Sequence, residues 1–220
     1  MPAKNPSSTI PVFCCLLAAI LWGLLWYPLR VLEQAGLPGL WATLIIYISA
    51  LVPVLPWFWK ERSGLVQHAL PVFMIGIFAG WTNLAFILAV LEGTVVRVLL
   101  LFYLSPVWTI LLGWWVLKER LSLRAWCSIV VALAGTGFML WSPDIGIPFP
   151  QSRADFLAIS SGMAFSVTNV VIRKSGDLPM ILKMGPAWCG VIVMSLAGIV
   201  FISSPAPGLS WMALMLAVVV

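Results

Sequence analysis

VLLLFYLSPVWTILLGWWVL, residues 98–117, runs for 20 positions without one charged side chain. A helix needs ~20 apolar residues to cross the hydrocarbon core of a bilayer, and this run has that length. A spanning strand would alternate apolar and polar positions; this stretch does not, nor does LLAAILWGLLW at 16–26. The segment is therefore a membrane helix. Working outward, apolar runs between short polar breaks occupy residues 11–32, 39–59, 69–91, 95–117, 124–141, 154–172 and 181–202. A last run begins at Leu209 and is cut at Val220. At ~1.5 Å per residue it reaches about half a bilayer, so the sequence is expected to be a fragment ending inside an eighth helix.

The chain as a whole agrees with its central segment. Of 220 residues, 62% are hydrophobic, 9% are charged and 13 are Trp, and the mean hydropathy is +1.09. A soluble domain is about a quarter charged, because its surface must meet water. An ordinary soluble enzyme, a disordered chain and a nucleic-acid binder are all excluded. The basic residues behind a pI near 9.3 sit between apolar runs rather than in one patch. Cys14, Cys15, Cys127 and Cys189 all lie in apolar stretches, where thiols act as small hydrophobes. No Cys/His spacing implies a metal, and no cofactor is implied. The N-terminus has a single Lys4, an apolar run too long for an h-region and no small-residue cleavage pattern, so it is not a cleavable signal peptide.

Orientation follows from the charges in alternate loops. One side collects nine cations: Lys4, Lys60, Arg62, Lys118, Arg120, Arg124, Arg173, Lys174 and Lys183. The other holds three, Arg30, Arg97 and Arg153. The expectation is an inner-membrane, multi-pass protein with its N-terminus in the cytoplasm. SPDIGIPFPQSR (142–153) is the longest polar, proline-rich break and marks a boundary between 1–141 and 154–220. Five helices precede it, so a second, similar half starts from the opposite side, the geometry of inverted repeats. ILWGLLWYPLR (20–30) and MAFSVTNVVIR (163–173) echo each other: an aromatic, a small residue, then Arg at the same spacing.

Residues 97–140 resemble the EamA repeat of the drug/metabolite transporter superfamily. The likeness rests on the Tyr-Leu-x-Pro of Tyr103 to Pro106, on Glu119-Arg120-Leu121-Ser122, and on Ala134-Gly135 in the next helix. Trp22-Gly23 matches the family's opening helix, while Ser128 stands where such repeats usually carry Gly. The resemblance implies an all-α polytopic membrane protein of ten helices in two inverted five-helix repeats, carrying small metabolites such as amino acids, with efflux expected. This chain would hold seven full helices and a truncated eighth: the first repeat and an incomplete second. A truncated, non-transporting remnant stays open as the alternative.

Several residues are candidates for the solute pathway. Pro106 sits mid-span, where it removes a backbone hydrogen bond and frees a carbonyl for a hinge or a cavity; a packing kink is the plainer alternative. Ser161, Phe165, Thr168 and Asn169 share one helix face by their spacing. Asn83 is the amide of the third span, Tyr47 and Tyr103 belong to the second and fourth, and Trp22 and Trp26 to the first. Together these make a mostly aromatic pocket with a few hydrogen-bonding groups; interhelical packing by Ser, Thr and Asn competes with that reading. Trp57, Trp59 and Trp141 lie at span ends and read as interface anchors. Glu92 and Arg97 flank the short link between the third and fourth spans, as an outer gate or a structural ion pair.

The missing charges matter as much. All seven acidic residues fall at or beyond span ends, and the single histidine, His68, lies in a loop. Proton-coupled carriers commonly hold an acidic group or His within the membrane, so facilitative or exchange transport is expected. The same absence leaves a membrane-embedded hydrolase without a Ser-His, Asp-Asp or metal constellation. A seven-helix receptor conflicts with an N-terminus inside. The implied partners are lipid and a small-molecule substrate; nothing in the sequence specifies an oligomeric state.

Overall fold

In the computed structural model, residues 9–24, 26–118, 122–141 and 150–202 are described, and all their regular structure is helical. The first apolar run forms α1 (Thr9–Leu24) and the short, amphipathic α2 (Trp26–Gln34). The second forms α3 (Gly39–Leu51), a 3-10 turn over Val52–Val54 and α4 (Leu55–Lys60). Pro53 and Pro56 fall at that break, where a missing N–H favours tightened helix geometry. Then follow α5 (Arg62–Gln67) and the unbroken α6 (Ala69–Glu92). The fourth run divides into α7 (Val95–Phe102) and α8 (Ser105–Leu117). Next come α9 (Leu123–Leu140), α10 (Arg153–Lys174) and α11 (Met180–Phe201).

Five of these segments are long and apolar enough to cross a membrane: Gly39–Lys60, Ala69–Glu92, Val95–Leu117, Arg153–Lys174 and Met180–Phe201. Val12–Leu21 and Trp126–Met139 are shorter apolar helices. They correspond to the first and fifth runs of the sequence. The expected run from Leu209, the acidic motif residue Glu119 and most of the 142–153 loop lie outside the described residues.

At the centre stands α6, with α10 on one side and α11 on the other; α3 packs on α11, and α7 and α8 pack on α10. The α6–α11 crossing is made by glycines. A Cβ at Gly190 would collide with the Gly76 backbone, and one at Gly80 would meet the Gly190 carbonyl oxygen at 2.5 Å. Lipid tails are as apolar as leucine, so helices in a membrane associate through close packing and hydrogen bonds rather than through apolar burial. Glycine permits that approach. By contrast, α1 and α9 expose nearly every large side chain that is described.

Pro106 breaks the fourth run as its chemistry requires. It occupies the first turn of α8, after a turn at Tyr103 and Leu104. Having no N–H, it leaves the Phe102 carbonyl without its helical donor. That carbonyl is turned against α10: a Cβ on Gly162 would stand 3.0 Å from its oxygen. The neighbouring Ser105 carbonyl accepts a hydrogen bond from Ser166 of α10 at 2.7 Å. The kink thus docks α7–α8 onto α10.

Candidate functional site

The site begins where α2 ends. Gly36 takes a positive φ of 88°, a conformation glycine adopts without a Cβ penalty. The Leu37 N–H then donates to the Leu32 carbonyl at 2.9 Å, and the Gly36 N–H to the Glu33 carbonyl at 3.0 Å. These two bonds form a Schellman termination, normally accompanied by an apolar contact across it. Here Leu32 and Leu37 supply that contact, packed with Ala42 and almost wholly buried. The turn fixes α2 against the start of α3 and leaves Arg30 and Glu33 on an exposed face.

Arg30 and Glu33 line a cavity of about 580 Å³ whose other wall includes Phe86, Val90, Gly93 and Thr94. A second chamber of about 240 Å³ lies deeper, lined by Thr43, Tyr47, Thr82, Asn83 and Phe102 among others. Phe86 and Ile87 belong to both walls, so the two chambers adjoin. They lead from the α6–α7 link at one end of the bundle toward its middle.

The deep chamber has one polar centre. The Tyr47 hydroxyl donates to Asn83 Oδ1 at 3.0 Å, and Asn83 Nδ2 donates to the Ala79 carbonyl at 3.1 Å. An amide has two N–H donors and a hydroxyl retains acceptor lone pairs, so both groups keep capacity for a solute. The Thr43 and Thr82 hydroxyls donate back to Gly39 and Phe78 of their own helices, each at 2.8 Å. Their lone pairs likewise remain. The rest of the wall is aromatic and aliphatic: Phe102 meets Phe86 edge-on at 5.0 Å and is backed by Phe165 at 5.6 Å. The chamber wall is thus mostly apolar, with a few hydrogen-bonding groups, the composition common to small-molecule sites.

Over residues 9–141 the sequence matches the EamA-like transporter family, which is more than half of the chain. The chain belongs to the EamA-like transporter family. A Pseudomonas aeruginosa protein, named "Uncharacterized transporter PA0485", is 25% identical over 132 residues, covering 57% of this chain and 44% of the relative. The chain thus spans less than half the length of that relative. No solved structure matches it.

Every residue named above on the two chambers falls within the matched part of this EamA-like chain. Of the residues expected from sequence, Tyr47 and Asn83 meet in the deep chamber. Trp22 and Trp26 lie on α1 and α2, with side chains outside the description. Tyr103 is 51% exposed and Pro106 also faces outward, on the far side of the kink. Ser161 is fully buried and donates to the Thr82 carbonyl at 2.7 Å, joining α10 to α6. Thr168 donates to Ala164 of its own helix at 3.0 Å, while Asn169 is half-buried beside it. Phe165 stands behind the chamber wall.

Glu92 and Arg97 take separate partners on α10. Arg97 forms a bidentate pair with Asp155, Nε to Oδ1 at 2.8 Å and a terminal guanidinium nitrogen to Oδ2 at 2.9 Å. Asp155 also accepts from the Gln151 and Ser152 amides at 2.8 and 3.4 Å, within a capping box that starts α10. Glu92 lies 3.6 Å from Arg153. Arg30, Glu33 and Asp155 are not among the site residues expected from the sequence, where they count only in the charge tally and, for Arg30, in the echo between 20–30 and 163–173. The first two carry a signal in their i, i+3 spacing on an amphipathic turn, and the third in the Ser-x-x-acid pattern of a capping box.

Proposed function

We propose that this chain belongs to an integral membrane transporter of small organic metabolites, amino-acid-like or amphipathic solutes, exported by alternating access. One observation carries the reading: adjoining chambers run from a charged mouth at Arg30 and Glu33 to the Tyr47–Asn83 pair. In this proposal residues 1–141 form a five-helix repeat, 142–153 connect, and 154–220 begin an inverted second repeat of a ten-helix carrier. The odd number of runs before residue 142 and the echo between 20–30 and 163–173 support the inversion. The nine-to-three division of cations supports an inner-membrane location with the N-terminus and α6's Ala69 end in the cytoplasm. The absence of an acidic side chain deep in any apolar run supports facilitative or exchange transport.

Exchange in liposomes, using the full chain and a panel of labelled amino acids and amphipathic solutes, tests this. The expected result is exchange of at least one solute that falls about tenfold or more in Asn83→Ala. No exchange of any solute overturns the reading and marks a non-transporting remnant. A proton flux strictly dependent on solute overturns the facilitative part alone.

A further inference from the structure

Three arginines stand at the α6–α7 end of the bundle, and their surroundings differ. Arg97 is locked to Asp155, and Arg153 has Glu92. Neither the Arg30 guanidinium nor the Glu33 carboxylate has an ion pair or hydrogen bond among the described residues. The two are one helical turn apart, near enough in spacing to pair. Instead both border the same cavity. The Schellman turn and the Leu32–Leu37 contact hold their helix in place, so the unpaired charges are a built feature of the mouth.

We propose that Arg30 and Glu33 form a head-group subsite that selects solutes carrying an anionic and a cationic group side by side. The inference rests on the transport reading above and adds the charge class of the solute. The other side chains lining the cavity carry no charge; they include Phe86, Val90, Leu91 and Thr94. An apolar wall offers no counter-charge, so compensation must come from water or from the solute. A zwitterion satisfies Arg30 with its anion and Glu33 with its cation. A plain anion leaves Glu33 facing a like charge, and a plain cation does the same to Arg30; such mismatches are how charged sites reject wrong partners. Beyond the head group, the inner chamber of about 240 Å³ takes an apolar side chain of modest size.

Three probes share one branched apolar body and differ only in charge: leucine, 4-methylpentanoate and 3-methylbutylamine. Exchange of each is measured in liposomes holding the full chain. The wild type is expected to prefer leucine by about tenfold or more over either single-charge probe. Arg30→Gln should move the preference toward the amine, and Glu33→Gln toward the carboxylate. The swapped pair Arg30→Glu with Glu33→Arg should restore the preference for leucine that the single variants lose, a recovery that a purely structural role does not produce. Size-exclusion profiles verify folding, and Arg30→Met, which also removes the charge at similar length, serves where Arg30→Gln fails to fold. Unchanged probe ratios in both single variants, or no exchange of the three probes by the wild type, overturn the subsite. If other solutes still exchange in those experiments, the transport reading survives its failure.

Discussion

The two sides of α6 are joined to their neighbours by different chemistry. Toward α11 the seam is glycine on glycine, Gly76 and Gly80 against Gly190, with backbones almost in contact. Toward α10 the seam is made of hydroxyls. Ser161 donates to the Thr82 carbonyl at 2.7 Å, Thr82 reaches back to the Ser161 carbonyl at 3.5 Å, and Trp81 donates to Ser160 at 3.3 Å. At its α7 end, this side is tied further by the Arg97–Asp155 pair. In a medium that gives helices no apolar driving force, these are two available solutions. Steric fit concentrates its tolerance at single atoms; hydrogen bonds spread the interaction over several small terms. A single substitution should therefore destroy one seam and only weaken the other.

The glycine seam gives the strongest test. Gly190→Leu places a side chain where even a Cβ meets the Gly76 backbone. The expected outcome is loss of the monodisperse folded peak in size-exclusion chromatography. A variant that folds normally would show that α6 and α11 are not held as described. Next in size is Arg97→Ala, which strands the buried Asp155 carboxylate. Removing one partner of a buried ion pair costs on the order of 3 kcal/mol, read as reduced stability in detergent unfolding. Adding Asp155→Asn should restore part of that loss, because the stranded charge is gone while an amide can still accept from the Gln151 N–H. The smallest effect belongs to the hydroxyl seam itself. Ser161→Ala should cost only about 0.6 kcal/mol, with ~1.7 as an upper bound for interhelical hydrogen bonds of this kind. A loss equal to that of Gly190→Leu would erase the contrast between the two seams.

The same contrast explains which parts of the molecule were visible in the sequence. Apolar continuity located the long helices, because a lipid-embedded backbone must satisfy its own hydrogen bonds whatever surrounds it. Pro106 marked the break in the fourth run for an equally local reason. Tyr47 and Asn83 were found as polar side chains in apolar runs, but their partnership across 36 residues was not readable. Ser161 was read by the same rule and stands in a helix seam rather than beside Asn83 on the described chamber walls. Type and depth alone do not separate a pathway hydroxyl from a packing hydroxyl.

By itself, then, the sequence determined that this chain lives in lipid, where its long helices run and where its cations gather. Those properties follow from local composition and from the cost of an unsatisfied backbone in hydrocarbon. Tertiary structure alone decided which arginines are neutralised, which glycines touch, and that Arg30 and Glu33 share a mouth with Phe86. Partner choice depends on how helices distant in sequence are rotated against each other, and a uniformly apolar surface encodes that rotation only weakly.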